Sequence, residues 1–278
     1  MNRLISIELQ KIWKNKASRI LTLTYFILLS FIALIASIKF DIGPFKFHLA
    51  EMGIFNFPFI WHFNTYVAAW LKFFLAIVIV SMMANEYSYG TLKQNLIDGL
   101  SKKEFILSKF LTVALFALCS TVFVFVMSLL LGLSFSSYTQ FDIIFMDLDY
   151  LLAFFVKLTG FFSFCLFLGI LVKRSAFALG FLLVWSIIEA IIRGFLTFKV
   201  FPNSNTADNI VQFLPLESMS NLIVNPAPRL AVVKTIGNQI GIDTTMDYSV
   251  HYSAILIVLV WTFLFVYFSY KLLKNRDL

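Results

Sequence analysis

The stretch NEYSYGTLKQNLIDGLSKKEFILSKF, Asn85 to Phe110, is the longest polar island between two long apolar runs. It carries three acids (Glu86, Asp98, Glu104), four lysines (Lys93, Lys102, Lys103, Lys109) and two glycines (Gly90, Gly99). Leu92, Leu96 and Leu100 recur every four residues, which gives one apolar edge to a short helix from about Tyr89 to Gly99, with Gly99 as its stop. Ser101-Lys102-Lys103-Glu104 then has the form of a capping box, the serine oxygen accepting from the Glu104 amide while Glu104 reaches back. The island predicts a helix, a break and a second, capped helix running on into apolar sequence: a stiff lever between two rods.

The rods follow from composition. The 278 residues are 60% hydrophobic and only 13% charged, where an ordinary soluble domain is about 25% charged. Runs of about 20 apolar residues are long enough to cross about 30 Å of hydrocarbon as helix. Six can be read: Ile20–Ile38, Phe59–Met82, Phe110–Leu133, Leu151–Val172, Phe177–Phe198 and Ala254–Leu272. They are continuous rather than alternating, which excludes a β-barrel reading. The expectation is an all-α polytopic membrane protein of one domain, residues 1–278, with six transmembrane helices. The first run follows a basic lead of 19 residues without a good small-x-small cleavage site and reads as a retained anchor. Within residues 1–18, Ile5, Leu9, Ile12 and Trp13 fall at helical spacing, with Arg3, Glu8, Lys11 and Lys14 elsewhere on the wheel, as in an interfacial amphipathic helix.

Basic residues orient such a chain. With the N-terminus inside, the inner segments hold Arg3, Lys11, Lys14, Lys16 and Arg19, then Lys93, Lys102, Lys103 and Lys109, then Lys173 and Arg174, then Lys271, Lys274 and Arg276. The outer loops hold only Lys39, Lys46, Lys199, Arg229 and Lys234, while Asp142, Asp147 and Asp149 stand in a loop with no base. This places the island, residues 85–104, and both termini on the cytoplasmic side of a cell inner membrane. The split of basic charge among short segments speaks against nucleic acid as a partner.

The first outer loop, Lys39 to Pro58, has room for a short helix. The connection VKRSA is a tight inner hairpin whose Lys173 and Arg174 reach lipid phosphates. The external loop 199–253 contains two half-apolar stretches, NIVQFLPLESMSNLIV and LAVVKTIGNQIGI, too short to span; they read as short external or re-entrant helices before the last span. Cys119 and Cys165 lie in apolar runs, and His48, His62 and His251 are scattered, so no metal-ligand spacing is present.

Charges inside the spans are costly and need partners or a wet cavity. Lys72 falls near the middle of the second run, Glu189 near the middle of the fifth, and Arg193 one turn after Glu189. One reading is an i,i+4 pair Glu189–Arg193 with Lys72 reaching toward the surface; the other is a polar patch of Lys72, Glu189 and Arg193 along a transport path. Lys157 reads as snorkelling to the outer interface.

The order Glu86, Gly90-Thr91-Leu92, Leu96, Leu100-Ser101-Lys102-Lys103, Phe105, Lys109-Phe110-Leu111 resembles the inner-loop signature of type-2 ATP-binding-cassette transporter permeases. The chain has Ser108-Lys109 where that family often has Gly-Lys, Lys102 where Arg is common, and Gly99 where Pro or Ala often sits. The resemblance implies a coupling helix that docks on a separate cytoplasmic ATPase dimer, with Glu86, Gly90, Thr91, Leu92, Leu96, Leu100, Ser101 and Lys102 as the coupling residues. It implies a permease homo- or heterodimer, and a path lined by the second and fifth spans. No Gly-x-x-x-x-Gly-Lys-Ser/Thr is present, so ATP and Mg are expected on the partner, with no cofactor bound by this chain and no enzyme activity of its own. The expected function is export of an amphipathic or hydrophobic substrate (peptide, lipid, glycolipid or drug), or mechanical work on an external partner. The alternative is an ATP-independent secondary transporter or channel.

Overall fold

The computed structural model describes residues 2–38, 40–42, 45–47, 52–202, 206–230 and 247–276. The chain opens with helix α1, Asn2–Lys14, and turns at Asn15 into α2, Lys16–Ser37. Asn15 makes the turn as an N-cap, its side-chain oxygen accepting from Ser18 N at 3.1 Å. In its described part the first loop has a 3-10 helical residue at Met52. It forms two short antiparallel strands, β1 (Phe40–Ile42) and β2 (Phe45–Phe47), with Phe40 opposite Phe47.

Then come α3 (Phe59–Trp70), α4 (Lys72–Ser88), α5 (Thr91–Ile97), α6 (Lys102–Phe135), the single turn α7 (Phe141–Ile144) and α8 (Asp149–Val172). Helix α9, Ser175–Phe195, ends in a π-helical turn, Leu196–Val200. Two short helices, α10 (Thr206–Val211) and α11 (Pro215–Asn221), realise the first half-apolar stretch of the last loop. The second, LAVVKTIGNQIGI, lies outside the described residues apart from Leu230. Helix α12, Tyr252–Lys274, completes the bundle.

Among the described residues, five helices are long and apolar enough to cross a membrane: α2, α6, α8 together with α7, α9 with its π turn, and α12. The second run differs from expectation. It is two helices, α3 and α4, that meet the same criterion only as a pair and bend by 46°. No proline or glycine lies at the joint. The break is a tightening of the ladder at Leu71, whose N–H bonds Ala68 O at 3.1 Å while its own carbonyl accepts from Phe74 N at 3.1 Å. Lys72 therefore opens α4 rather than sitting in mid-helix.

Helix α8 is the central rod, with α12, α4, α6, α9 and α3 packed round it. Of its most apolar window 83% is buried, against 33% or less in the other four candidate spans. Its sequence allows this, because it is apolar all round and has small residues where neighbours come close. A Cβ on Gly160 would stand 2.8 Å from Val258 of α12, and one on Gly169 2.9 Å from Met83 of α4. The outer helices turn large apolar side chains outward, among them Ile187, Ile191 and Phe195 on α9 and Val260 and Phe263 on α12, a surface suited to hydrocarbon rather than water. Polar pairs stitch the rods together: Tyr25 OH bonds Ser120 Oγ between α2 and α6, and Asn64 Nδ2 donates to Ser128 Oγ at 2.8 Å between α3 and α6.

Gly132, on α6, is a close-approach site. A Cβ there would run into the buried Phe57 ring. Gly132→Ala is expected to lower the unfolding midpoint in detergent, at an overpacking cost of about 1–3 kcal/mol. Gly180→Ala, with nothing within 4 Å of the new methyl, serves as the control and will leave the midpoint unchanged or slightly raised.

Candidate functional site

The lever between α4 and α6 forms as its sequence spells. Gly90 (φ 67°) and Gly99 (φ 96°) both take left-handed backbone, which only glycine adopts without cost, and they bracket α5. Ser101 Oγ accepts from Glu104 N at 3.2 Å and Glu104 Oε2 accepts from Ser101 N at 3.0 Å, so the box closes and α6 starts at Lys102.

What the sequence did not disclose is how the lever is anchored. Glu86, two residues before the end of α4, is buried. Its Oε1 accepts from Lys109 Nζ at 2.5 Å and from Lys11 Nζ at 2.8 Å, and its Oε2 accepts from Thr91 Oγ1 at 2.5 Å. Lys109, fully buried on α6, also donates to Glu8 Oε2 at 2.5 Å. Glu8 sits 3.5 Å from Lys11. Two acids and two bases thus form a closed, charge-balanced cluster joining α1, α4 and α6, with Thr91 fastening α5 to it. Buried charge is costly, and a balanced, hydrogen-bonded set offsets that cost. Partial burial works against the charge on Lys11, and the hydrogen bond to Glu86 with the nearby Glu8 carboxylate outweighs it, holding this ammonium above its usual 10.5. Its contribution is therefore present throughout the neutral range and fades only as pH climbs past that value. The signal for Glu8 was present but unread: it stands four residues before Ile12, and both turn inward.

The cluster and the packing turn most of the residues expected to couple to a partner inward or occupy them within the chain. Leu92 is 2% exposed, and Leu96 and Leu100 pack against the bundle core. The apolar edge of α5 seals the lever onto the bundle rather than presenting it, and Glu86 lies inside as well. Gly90 is exposed, Thr91 is spent on Glu86, and Ser101 on its cap. Lys102 Nζ donates to the carbonyls of Lys274 (3.2 Å) and Arg276 (3.0 Å), closing the end of α12. Arg276 in turn donates to Ile170 O at 2.5 Å and Leu171 O at 3.0 Å, capping α8. The outward side of the lever is Tyr89 (73% exposed), Lys93, Gln94, Ile97 (74% exposed) and Asp98. Lys173 lies with its Nζ 5.6 Å from the Tyr87 ring centre, under this same end.

At the other end of the bundle, Lys72 and Glu189 do come together. They share a cavity of about 190 Å³ with Phe161, Ser186, Leu216 and Glu217. Lys72 Nζ lies 4.3 Å from the Phe161 ring centre, and among the described residues no carboxylate is within ion-pair distance of it. The Glu189–Arg193 pair expected from spacing is not made. Glu189 accepts instead from Leu216 N at 3.0 Å, Glu217 N at 2.9 Å and Trp185 Nε1 at 2.5 Å. Arg193 meets Glu217 at 3.2 Å. Lys157 is buried, not snorkelling, and donates to Ser220 O at 3.2 Å. Helix α11 is thus held by an acid at its N-terminal amides and a base at its last turn, the arrangement its dipole favours.

Beside it His62 Nε2 lies 2.7 Å from Val224 O. A carbonyl only accepts, so Nε2 carries the proton, and Nδ1 accepts from Arg229 Nη1 at 3.1 Å. The ring stacks on Tyr150 at 4.3 Å, fixing the segment after α11.

These features define a helical membrane protein with a folded lever at one end and a tethered short helix at the other. A family model described as "Protein of unknown function (DUF2705)" matches residues 27–278, and the chain belongs to that family. A stretch of 62 residues, 22% of this chain, is 40% identical to the Bacillus subtilis (strain 168) "Uncharacterized protein YhcI" and covers 20% of that protein.

Proposed function

We propose that this chain is the membrane subunit of an ATP-binding-cassette exporter of the type-2 kind, working as a permease dimer with a separate cytoplasmic ATPase dimer that binds ATP and Mg. The α3–α4 pair then serves as a broken second span among six, the lever faces the cytoplasm with both termini, and the membrane is the cell inner membrane. The observation that carries this reading is the lever itself. A two-glycine, capped connection is lashed at its base by buried charge, sealed inward by Leu92, and bare outward at Tyr89 and Ile97. A rigid element with one free face joining two rods is what a partner needs in order to push on both. The Lys72–Glu189 cavity under α11 is the candidate polar stretch of the path, with Arg193 at its side, and the cargo is amphipathic or hydrophobic.

The test uses two substitutions on opposite faces of α5. Ile97→Asp, on the free face, is expected to leave folding intact and cut ATPase co-purification and ATP-driven export at least about tenfold, since hot-spot residues at interfaces contribute about 2 kcal/mol or more. Leu92→Asp, on the sealed face, is expected to destabilise the permease itself. An Ile97→Asp protein that still recruits an ATPase and exports normally would end this reading.

A further inference from the structure

The corner where α1 meets α2 and α6 holds a groove of about 650 Å³, walled by Ile5, Leu9, Ile12 and Trp13 of α1, Thr22 of α2 and Phe116 of α6. Cavities of about 300–1,000 Å³ with mostly apolar walls take drug-sized ligands. A second cavity of about 370 Å³, with mostly apolar walls, shares Ile12 and Lys14 with it and is lined also by Lys11, Asn15, Tyr89 and the buried Glu86. The two spaces meet at Ile12 and Lys14, where a charged head stands beside apolar wall.

Charge says which amphiphile fits. Lys14, in the wall of both spaces, and Lys16 and Arg19, in the first turn of α2, are exposed, and among the described residues none has a carboxylate within ion-pair distance. Glu8, the one acid in the first 20 residues, is turned away and spent on Lys109 and Lys11. The corner is therefore apolar within and positive at its rim. It also lies beside Trp13, which is exposed and belongs to a helix of the interfacial kind.

We infer that this corner is a binding site for one anionic phospholipid of the leaflet on the N-terminal side, its acyl chain in the groove against Trp13 and Phe116 and its phosphate at Lys14, Lys16 and Arg19. The site goes beyond the coupling role and does not depend on it. Its occupant touches α1, which Glu8 and Lys11 tie to Glu86 and Lys109, so lipid in the groove sets where α1 stands against the lever.

The test is fluorescence quenching by brominated lipid. The full chain is placed in phosphatidylcholine vesicles containing a minor fraction of phosphatidylglycerol with brominated acyl chains, and the Trp13 signal is taken as wild type minus Trp13→Phe. The expected result is stronger quenching of Trp13 than in matched vesicles where the brominated lipid is phosphatidylcholine. Each of Lys14→Gln, Lys16→Gln and Arg19→Gln is expected to reduce the enrichment by about fivefold, the effect of removing about one favourable charge contact at a membrane surface. All three side chains are exposed, so an unchanged unfolding midpoint checks that the variants fold. Equal quenching by the two lipids, wild-type quenching in the triple variant, or relief of quenching by millimolar inorganic phosphate would each overturn the inference, the last because it would mark a site for a free anion.

Discussion

Lys109→Met is expected to cost the protein about 3–5 kcal/mol of stability, the range seen when one member of a buried ion pair is removed. Methionine keeps the length and apolar stem of the side chain, so little packing is lost. What is lost is the cation shared by Glu8 and Glu86, each 2.5 Å from Nζ. Lys11 remains, 2.8 Å from Glu86 but 3.5 Å from Glu8. It is left as the single base for two buried carboxylates. The unfolding midpoint in detergent will fall, and hydrogen exchange will quicken in α1 and at the α4–α5 junction together, since both hang from the same atom. A second substitution, Glu8→Gln in the Lys109→Met background, removes one stranded charge and is expected to return part of the loss, giving a coupling energy of about 0.5–3 kcal/mol in the double-mutant cycle. A single variant that melts like the wild type, or strictly additive losses, would show that the cluster does not hold the lever.

The second large effect is expected at the opposite end. Glu189→Leu removes the acceptor of two backbone N–H groups and of the Trp185 indole. Bonds to a charged acceptor are worth about 1.5–3 kcal/mol each, so freeing Leu216 and Glu217 is expected to speed exchange of their amides by roughly 10–100-fold, each factor of ten matching about 1.4 kcal/mol. Glu189→Gln keeps one acceptor oxygen and will give a smaller increase. Exchange elsewhere in α9 will stay as it is, because the helix does not need this carboxylate for its own ladder. Unaltered protection of the two amides in Glu189→Leu would mean that α11 is held by packing, through buried Met219 and Ser218, and not by the acid.

Local features were the legible ones. The capping box at Ser101 and Glu104, the stop at Gly99 and the apolar runs depend on neighbours within a turn or two, so their patterns are complete within the sequence window that encodes them. The features that escaped depend on distant partners. Lys109 and Glu8 are 101 positions apart, and nothing near either names the other. The stripe Leu92, Leu96, Leu100 announces an apolar face but is silent on what covers it; the bundle covers it, so the free face is the one carrying Tyr89 and Ile97. Spacing made Glu189 and Arg193 neighbours, yet unpaired amides at the start of α11 and the carboxylate of Glu217 compete better for them. The bend at Leu71 left no trace because no residue there is a helix breaker. The strands β1 and β2 escaped because three residues are too few to show a period.

Arg276 adds a matter of timing. The Ile170 carbonyl that it caps belongs to a rod made 106 positions earlier, so a ribosome must read through α9, α11 and α12 before the central helix can be finished. Until then the most deeply buried rod of the molecule has an open end, its last carbonyls waiting for a residue that is made after every helix of the bundle.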